Sequence, residues 1–179
     1  MKSTLLAVAV AAAAGLTGMA PRAQAAAGDN LTFNMVRSAG ATCLPSVTGA
    51  RVTITDLGPV QKMHLEAFGL PANTSFTTFV VQHPNKPFGL AWYQGDIQTD
   101  RRGHGVADFA GIFNDETFIL ADAPVQLDHL GIWFADPADA VKAGCSDTVT
   151  PFDGDHEAGI QALNTSNFPD DSGPLLQLK

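Results

Sequence analysis

Val60-Gln61-Lys62-Met63-His64-Leu65-Glu66-Ala67-Phe68 is the stretch that decides the fold class. Met63, Leu65 and Ala67 alternate with Lys62, His64 and Glu66, so every second side chain is apolar. Successive side chains of a strand point to opposite faces, and a period of two therefore predicts a strand with one buried and one wet face. The same reading extends outward in both directions. Val52-Thr53-Ile54-Thr55 is a β-branched strand just before it, and Pro71-Ala72-Asn73 is a turn just after it. Strands follow over residues 74–82, 90–97 and 106–113, the last two flanking the polar, Gly-containing connection Thr99-Asp100-Arg101-Arg102-Gly103. Residues 117–121 and 127–134 add two more, and residues 31–36 and 159–163 open and close the set. About nine strands with turn signals every 8–12 residues or so predict an all-β, antiparallel, immunoglobulin-like β-sandwich. A β-barrel is the alternative, because periodicity does not see closure. One short helix is expected over 138–143, with Asp136 as N-cap, Pro137 in the first turn and Gly144 as the stop. The tail over 167–179, rich in Asp, Pro and Gly, is expected to lie over the surface without regular structure.

Residues 1–25 read as a cleavable secretory signal peptide. Lys2 gives the positive start, residues 5–20 are apolar, and Pro21 precedes the small-residue cleavage motif Ala23-Gln24-Ala25. Gly15, Gly18 and Pro21 interrupt the apolar run, which falls short of the roughly 20 residues a membrane span requires. No Cys stands directly after the cleavage site and no Arg pair precedes it, which argues against a lipid anchor and a twin-arginine route. Residues 26–179 then form a single domain, with no linker and no internal repeat. Loss of Lys2 and Arg22 moves the formal charge from −8 to −10. A surface of that sign repels phosphate backbones and anionic lipid, so neither nucleic acid nor membrane is an expected partner.

Two cysteines, Cys43 and Cys145, lie in the remaining chain. In an oxidising compartment an even pair predicts a disulfide. Closing a loop of this size is worth up to about 4.7 kcal/mol in the chain-entropy model.

Candidate sites are few. The strongest for binding is Trp92-Tyr93-Gln94-Gly95-Asp96. Neighbouring strand residues face opposite ways, so at most one of the two aromatics joins the core and the other is available to stack on a sugar or anchor a protein. Trp133 offers a second such ring. Among His64, His83, His104, His129 and His156 no short metal-binding spacing occurs. Strand parity allows one metal hypothesis: His104 and Asp108 share a face, and pairing of their strand with that of His129 would assemble an imidazole–carboxylate–imidazole cluster. Asp153-Gly154-Asp155-His156-Glu157 places carboxylates at alternate positions around a Gly turn, as a hard cation needs, although a solvated turn is the simpler account. For catalysis there is no G-x-S-x-G elbow, no Cys beside a His and no Gly-rich phosphate loop. Asp115-Glu116 is an acidic pair of the kind a glycosidase uses. No cofactor is implied.

Gly69-Leu70-Pro71-Ala72-Asn73-Thr74-Ser75-Phe76 resembles the turn-and-strand signature of immunoglobulin-like and fibronectin-type-III-like sandwiches, and the hairpin over 96–105 is similar to theirs. Other stretches resemble a group of uncharacterised secreted bacterial proteins. These are Pro84-Asn85-Lys86-Pro87-Phe88-Gly89-Leu90, Trp92-Tyr93-Gln94-Gly95-Asp96, residues 138–145 and Leu163-Asn164-Thr165-Ser166-Asn167-Phe168-Pro169-Asp170. The resemblance implies a secreted β domain and lends no catalytic residue.

The expectation is an extracellular binding module for a protein or glycan, with a small hydrolase acting on a wall or matrix polymer through paired carboxylates as the alternative. Mass spectrometry of the exported product is expected to find Ala26 as its first residue, with a cut after Ala27, leaving Gly28 first, as the alternative; an intact Met1 start would refute the signal reading.

Overall fold

The computed structural model describes residues 30–113, 117–119, 124–152 and 157–178. The first six strands are β1 (Asn30–Arg37), β2 (Gly49–Asp56), β3 (Gln61–Phe68), β4 (Ser75–Val81), β5 (Ala91–Gln98) and β6 (Gly105–Gly111). Next come β7 (Thr117–Ile119), β8 (Pro124–Gln126), β9 (His129–Phe134) and the helix α1 (Pro137–Lys142). Three short strands, β10 (Thr150–Pro151), β11 (Glu157–Ala158) and β12 (Gln161–Asn164), precede a 3₁₀ turn at Pro174–Gln177.

Eight strands form one antiparallel sheet in the order β5-β4-β9-β12-β1-β2-β3-β6. The alternation of residues 60–68 sets its register. Met63 lies opposite Ile54 and Leu65 opposite Val52, all four fully buried, while His64 lies opposite Thr53 on the outer face. The two end strands, β5 and β6, are consecutive in sequence, and the sheet curls until they meet. A bridge joins Thr99 to Gly105, and Gly105 leaves room for the Ile97 side chain. Further along the seam the Phe109 ring lies against Gly95, whose φ of +151° a side chain rarely adopts; a Cβ there would sit 2.7 Å from that ring. Asp100 forms the connecting turn, its carboxylate accepting hydrogen bonds from the Arg102 and His104 amides at 2.7 and 3.0 Å. The all-β, antiparallel class is as the sequence predicts. Of the two architectures it allows, the nearly closed barrel is the one formed, with the short pairs β7–β8 and β10–β11 beside it. Closure hides the backbone edges that two separate sheets would leave unpaired.

The barrel interior is the main core, with Ile54, Met63, Leu65, Phe76, Ile132 and Phe134 all fully buried. β4 and β9 are also buried on their outer faces. Phe79, Val81 and Trp133 point outward there and form a second cluster with Ala158, packed against Phe88 and Phe152. This second layer is what a sequence with continuous apolar strands requires.

The helix matches its expected caps. The Asp136 carboxylate accepts from the Ala138 amide at 2.8 Å, and Gly144 follows with φ +81°. It delivers Cys145 to Cys43, and the two form a disulfide with a Cα–Cα distance of 5.2 Å across 102 residues. The tail departs from its surface-only expectation: Leu175 is fully buried in the main core, because Asp128 takes the Leu175 amide on its carbonyl and the Gly173 amide on its carboxylate.

Replacing Cys43 and Cys145 by Ala is expected to lower unfolding free energy by about 2–5 kcal/mol. Urea denaturation measures this, and an unchanged midpoint would show that the bridge adds nothing to the fold.

Candidate functional site

The Trp92-Tyr93 pair sits on β5, at the end of the sheet, and both rings are largely in solvent, at 53% and 43% exposure. Neither joins the core, one more exposed ring than simple alternation predicts. A register shift opposite Thr78 and Phe79 leaves Gln94 as an extra residue in β5 and sets Tyr93 opposite Phe79 and Asp96 opposite Thr77. Tyr93 and Asp96 thereby share a side, and the phenol donates a hydrogen bond to the Asp96 carboxylate. Partial burial, the Asp96 charge and that hydrogen bond raise the phenol pKa, in that order. Tyr93 is therefore a neutral donor whose ring position is fixed.

An aromatic row continues inward from Tyr93. Its ring meets Phe79 edge-on at 5.7 Å, and Phe79 stacks on Phe152 at 3.8 Å. Trp133 lies edge-on to Phe79, Phe152 and Phe88 at 5.6, 5.0 and 5.1 Å. Trp133 is thus fully buried, which corrects its reading as a second exposed ring. The 84–89 loop and the segment around β10 cover it. Its indole Nε1 has no hydrogen-bond partner among the described residues.

Beside this row lies a feature that the sequence reading missed. Gln161 and Asn164 point out of β12, and both donate to the Pro84 carbonyl, at 3.1 and 3.0 Å. The Gln161 Oε1 atom accepts from Ser38 Oγ at 2.9 Å and from Asn164 Nδ2 at 2.8 Å. Ser38, Gln161 and Asn164 are buried, and every one of them is hydrogen-bonded, as burial of polar groups demands. A cavity of about 320 Å³ opens next to them, lined by the 38–40 turn, Asn85, Lys86 and Phe88, and by Ser146, Thr148 and Thr150 beyond the disulfide. A shallower groove along Pro87, Phe88, Pro151 and Phe152 adjoins it. The only sequence signal was the Pro84-Asn85-Lys86-Pro87-Phe88-Gly89 run, which has the turn residues of a loop and an aromatic held within it.

The metal hypothesis does not gain its geometry. The strand carrying Asp108, β6, pairs with β3, whereas β9 lies between β4 and β12, so the pairing that would join His104 and Asp108 to His129 is not made. Asp108 instead accepts from His64 Nδ1 at 2.7 Å and pairs with Lys62 at 3.2 Å on an exposed face. Those two contacts lower the Asp108 pKa, His64 contributing most. His104 stacks on Phe68 at 5.0 Å. Among the described residues no group of three His, Cys, Asp or Glu is placed to hold a metal. Of the acidic stretch, Asp153 to His156 and the Asp115-Glu116 pair lie outside the described residues, and Glu157 is exposed in β11. Asn164 is fully buried, so the Asn164-Thr165-Ser166 sequon is closed to glycosylation in the folded protein.

No protein-family model matches the chain, and no curated protein matches it.

His129 fastens the C-terminal segment instead. Its Nδ1 lies 2.8 Å from Thr165 Oγ1 and its Nε2 3.1 Å from the Pro169 carbonyl. Burial lowers its pKa below the ordinary 6.5, and the nearby Asp128 and Asp170 charges and the Pro169 carbonyl only partly oppose this. The unfolded chain binds a proton near about pH 6.5 that the folded ring does not, so stability is full above that pH and falls as pH drops through it. Urea midpoints should decline between about pH 7.5 and 5.5, and His129→Gln should make that slope shallower. An unaltered slope in the variant would show that His129 is not the group responsible.

Proposed function

We propose that the protein is a secreted binding module that presents the Trp92-Tyr93-Asp96 patch to an extracellular protein or glycan. The observation that carries this is the exposure of two consecutive aromatic residues on one end strand, Tyr93 on the outer face between Asp96 and Phe79, and Trp92 on the other side opposite Val80. Ordered aromatics lose little conformational freedom on binding and supply both an apolar face and a polar tip. The disulfide accords with an oxidising compartment. Among the described residues no helix is long and apolar enough to cross a membrane. The acidic balance disfavours nucleic acid and anionic lipid as partners. This reading requires no cofactor.

The second reading is a small hydrolase of wall or matrix polymers. It needs a carboxyl whose pKa is raised to serve as general acid. The two described carboxyls with displaced values, Asp100 and Asp108, are both lowered, held ionised by backbone amides and by His64 and Lys62 respectively. Binding is therefore the reading that the described carboxylates favour.

The two tryptophans separate the test cleanly, since Trp92 is exposed and Trp133 buried. Iodide should quench Trp92 alone, and soluble wall glycans or a partner recovered from culture supernatant should protect it. Trp92→Ala should lose that capture. Recovery of the same glycans and proteins by the variant would overturn the patch as the binding surface.

A further inference from the structure

The 320 Å³ cavity is a second site, on different residues from the aromatic patch and independent of it. We propose that it binds a small carboxylated sugar, such as a uronic acid unit. Its size falls at the lower end of ligand cavities, which span about 300–1,000 Å³. That suits one or two sugar rings.

The chemistry of the walls sets the ligand class. Asn85, Ser146 and Thr148 line the cavity with an amide and hydroxyls that both donate and accept, while Ser38 and Gln161 are bonded within the network behind them. Ser146 and Thr148 bond one another at 2.8 Å, leaving one hydroxyl proton and the remaining lone pairs to a ligand. A polyhydroxylated molecule matches such mixed capacity better than an apolar one. Phe88 supplies a flat apolar wall, the partner that the C–H face of a sugar ring needs.

Charge narrows the class further. Asp and Glu outnumber Lys and Arg by 18 to 10 in the chain, yet the only charged side chain among the described lining residues is Lys86. It has no ion-pair partner among the described residues. One ammonium without an arginine fork suits a single carboxylate rather than a phosphate.

The walls are also fixed before any ligand arrives. Cys43–Cys145 ties the 38–40 turn to the Ser146 wall, three residues or fewer from each lining segment on that side. Gln161 and Asn164 hold the Pro84 carbonyl, and with it the loop bearing Asn85, Lys86 and Phe88. Buried polar groups are costly unless fully satisfied, and here their satisfaction is spent on holding a cavity open. A preorganised site binds without a further ordering cost.

The test is a ¹⁵N NMR titration of the oxidised protein with sodium D-glucuronate, D-glucose and inorganic phosphate. Glucuronate should shift the amides of Gly40, Asn85 and Thr148 and bind roughly tenfold more tightly than glucose or phosphate. Added salt should weaken glucuronate binding and leave glucose binding unchanged. Lys86→Gln, at an exposed position, should abolish the preference for glucuronate over glucose, whereas Trp92→Ala should leave it intact. The proposal is overturned by any of four results: no shift of these amides at about 10 mM glucuronate, equal binding of glucose and glucuronate, tighter binding of phosphate, or a preference that survives Lys86→Gln. Shifts confined to Trp92 and Tyr93 would likewise overturn it while supporting the aromatic patch.

Discussion

One backbone carbonyl, that of Pro84, receives two side-chain amides from the same strand, Gln161 and Asn164 of β12. With the longer bond from Asn164 Nδ2 to Asn85 Oδ1 at 3.5 Å, they anchor the 84–89 loop on the barrel wall. The loop carries Phe88 onto Trp133, and Trp133 in turn supports Phe79 and Phe152. The outer aromatic layer, the buried state of Trp133 and the cavity beside it all follow from where that carbonyl is held. Ser38 extends the same network to the turn after β1, so three segments far apart in sequence meet through one glutamine. Each buried amide and hydroxyl in this set is matched, which is the condition under which such a network specifies one arrangement instead of weakening the fold.

Local order was legible in the sequence because it depends on local rules. The two-residue period of residues 60–68 became β3, with Met63 and Leu65 inward and Lys62 and His64 outward. Asp136, Pro137 and Gly144 bounded the helix, and the lone cysteine pair formed its bridge. Closure was not legible, because it depends on whether β5 and β6 meet after the sheet has twisted through eight strands. Gly95 and Gly105 are local traces of it, since each leaves space for a side chain of the neighbouring strand at the seam.

The candidate site was legible only in part, for a similar reason. Trp92, Tyr93 and Asp96 could be found because their types and adjacency are unusual in a strand. The register at this site depends on a bulge in β5, where Gln94 is an extra residue beside Gly95, a position that the two-residue period does not mark. Trp133 was misread because its cover comes from Phe88 and Phe152, dozens of residues before it and some twenty after. His129 was misread as a surface ligand because strand parity gives a face but not which face is covered; residues 165–169 cover this one. Gln161 and Asn164 gave no signal at all, since polar residues in a short strand ordinarily face water.

The place of β12 has a consequence for how the molecule comes into being. This four-residue strand, ending fifteen positions from the end of the chain, is inserted between β1 and β9. β1, the first of the described strands, therefore lacks one of its two neighbours until β12 has been made. A partial chain can form the β1–β2–β3–β6 half but cannot join it to the β9–β4–β5 half through β12. Such long-range pairing folds slowly, because the cost of closing large loops precedes the contacts that reward it. Vectorial synthesis thus postpones the joining of the two halves through β12 until Asn164 has been made.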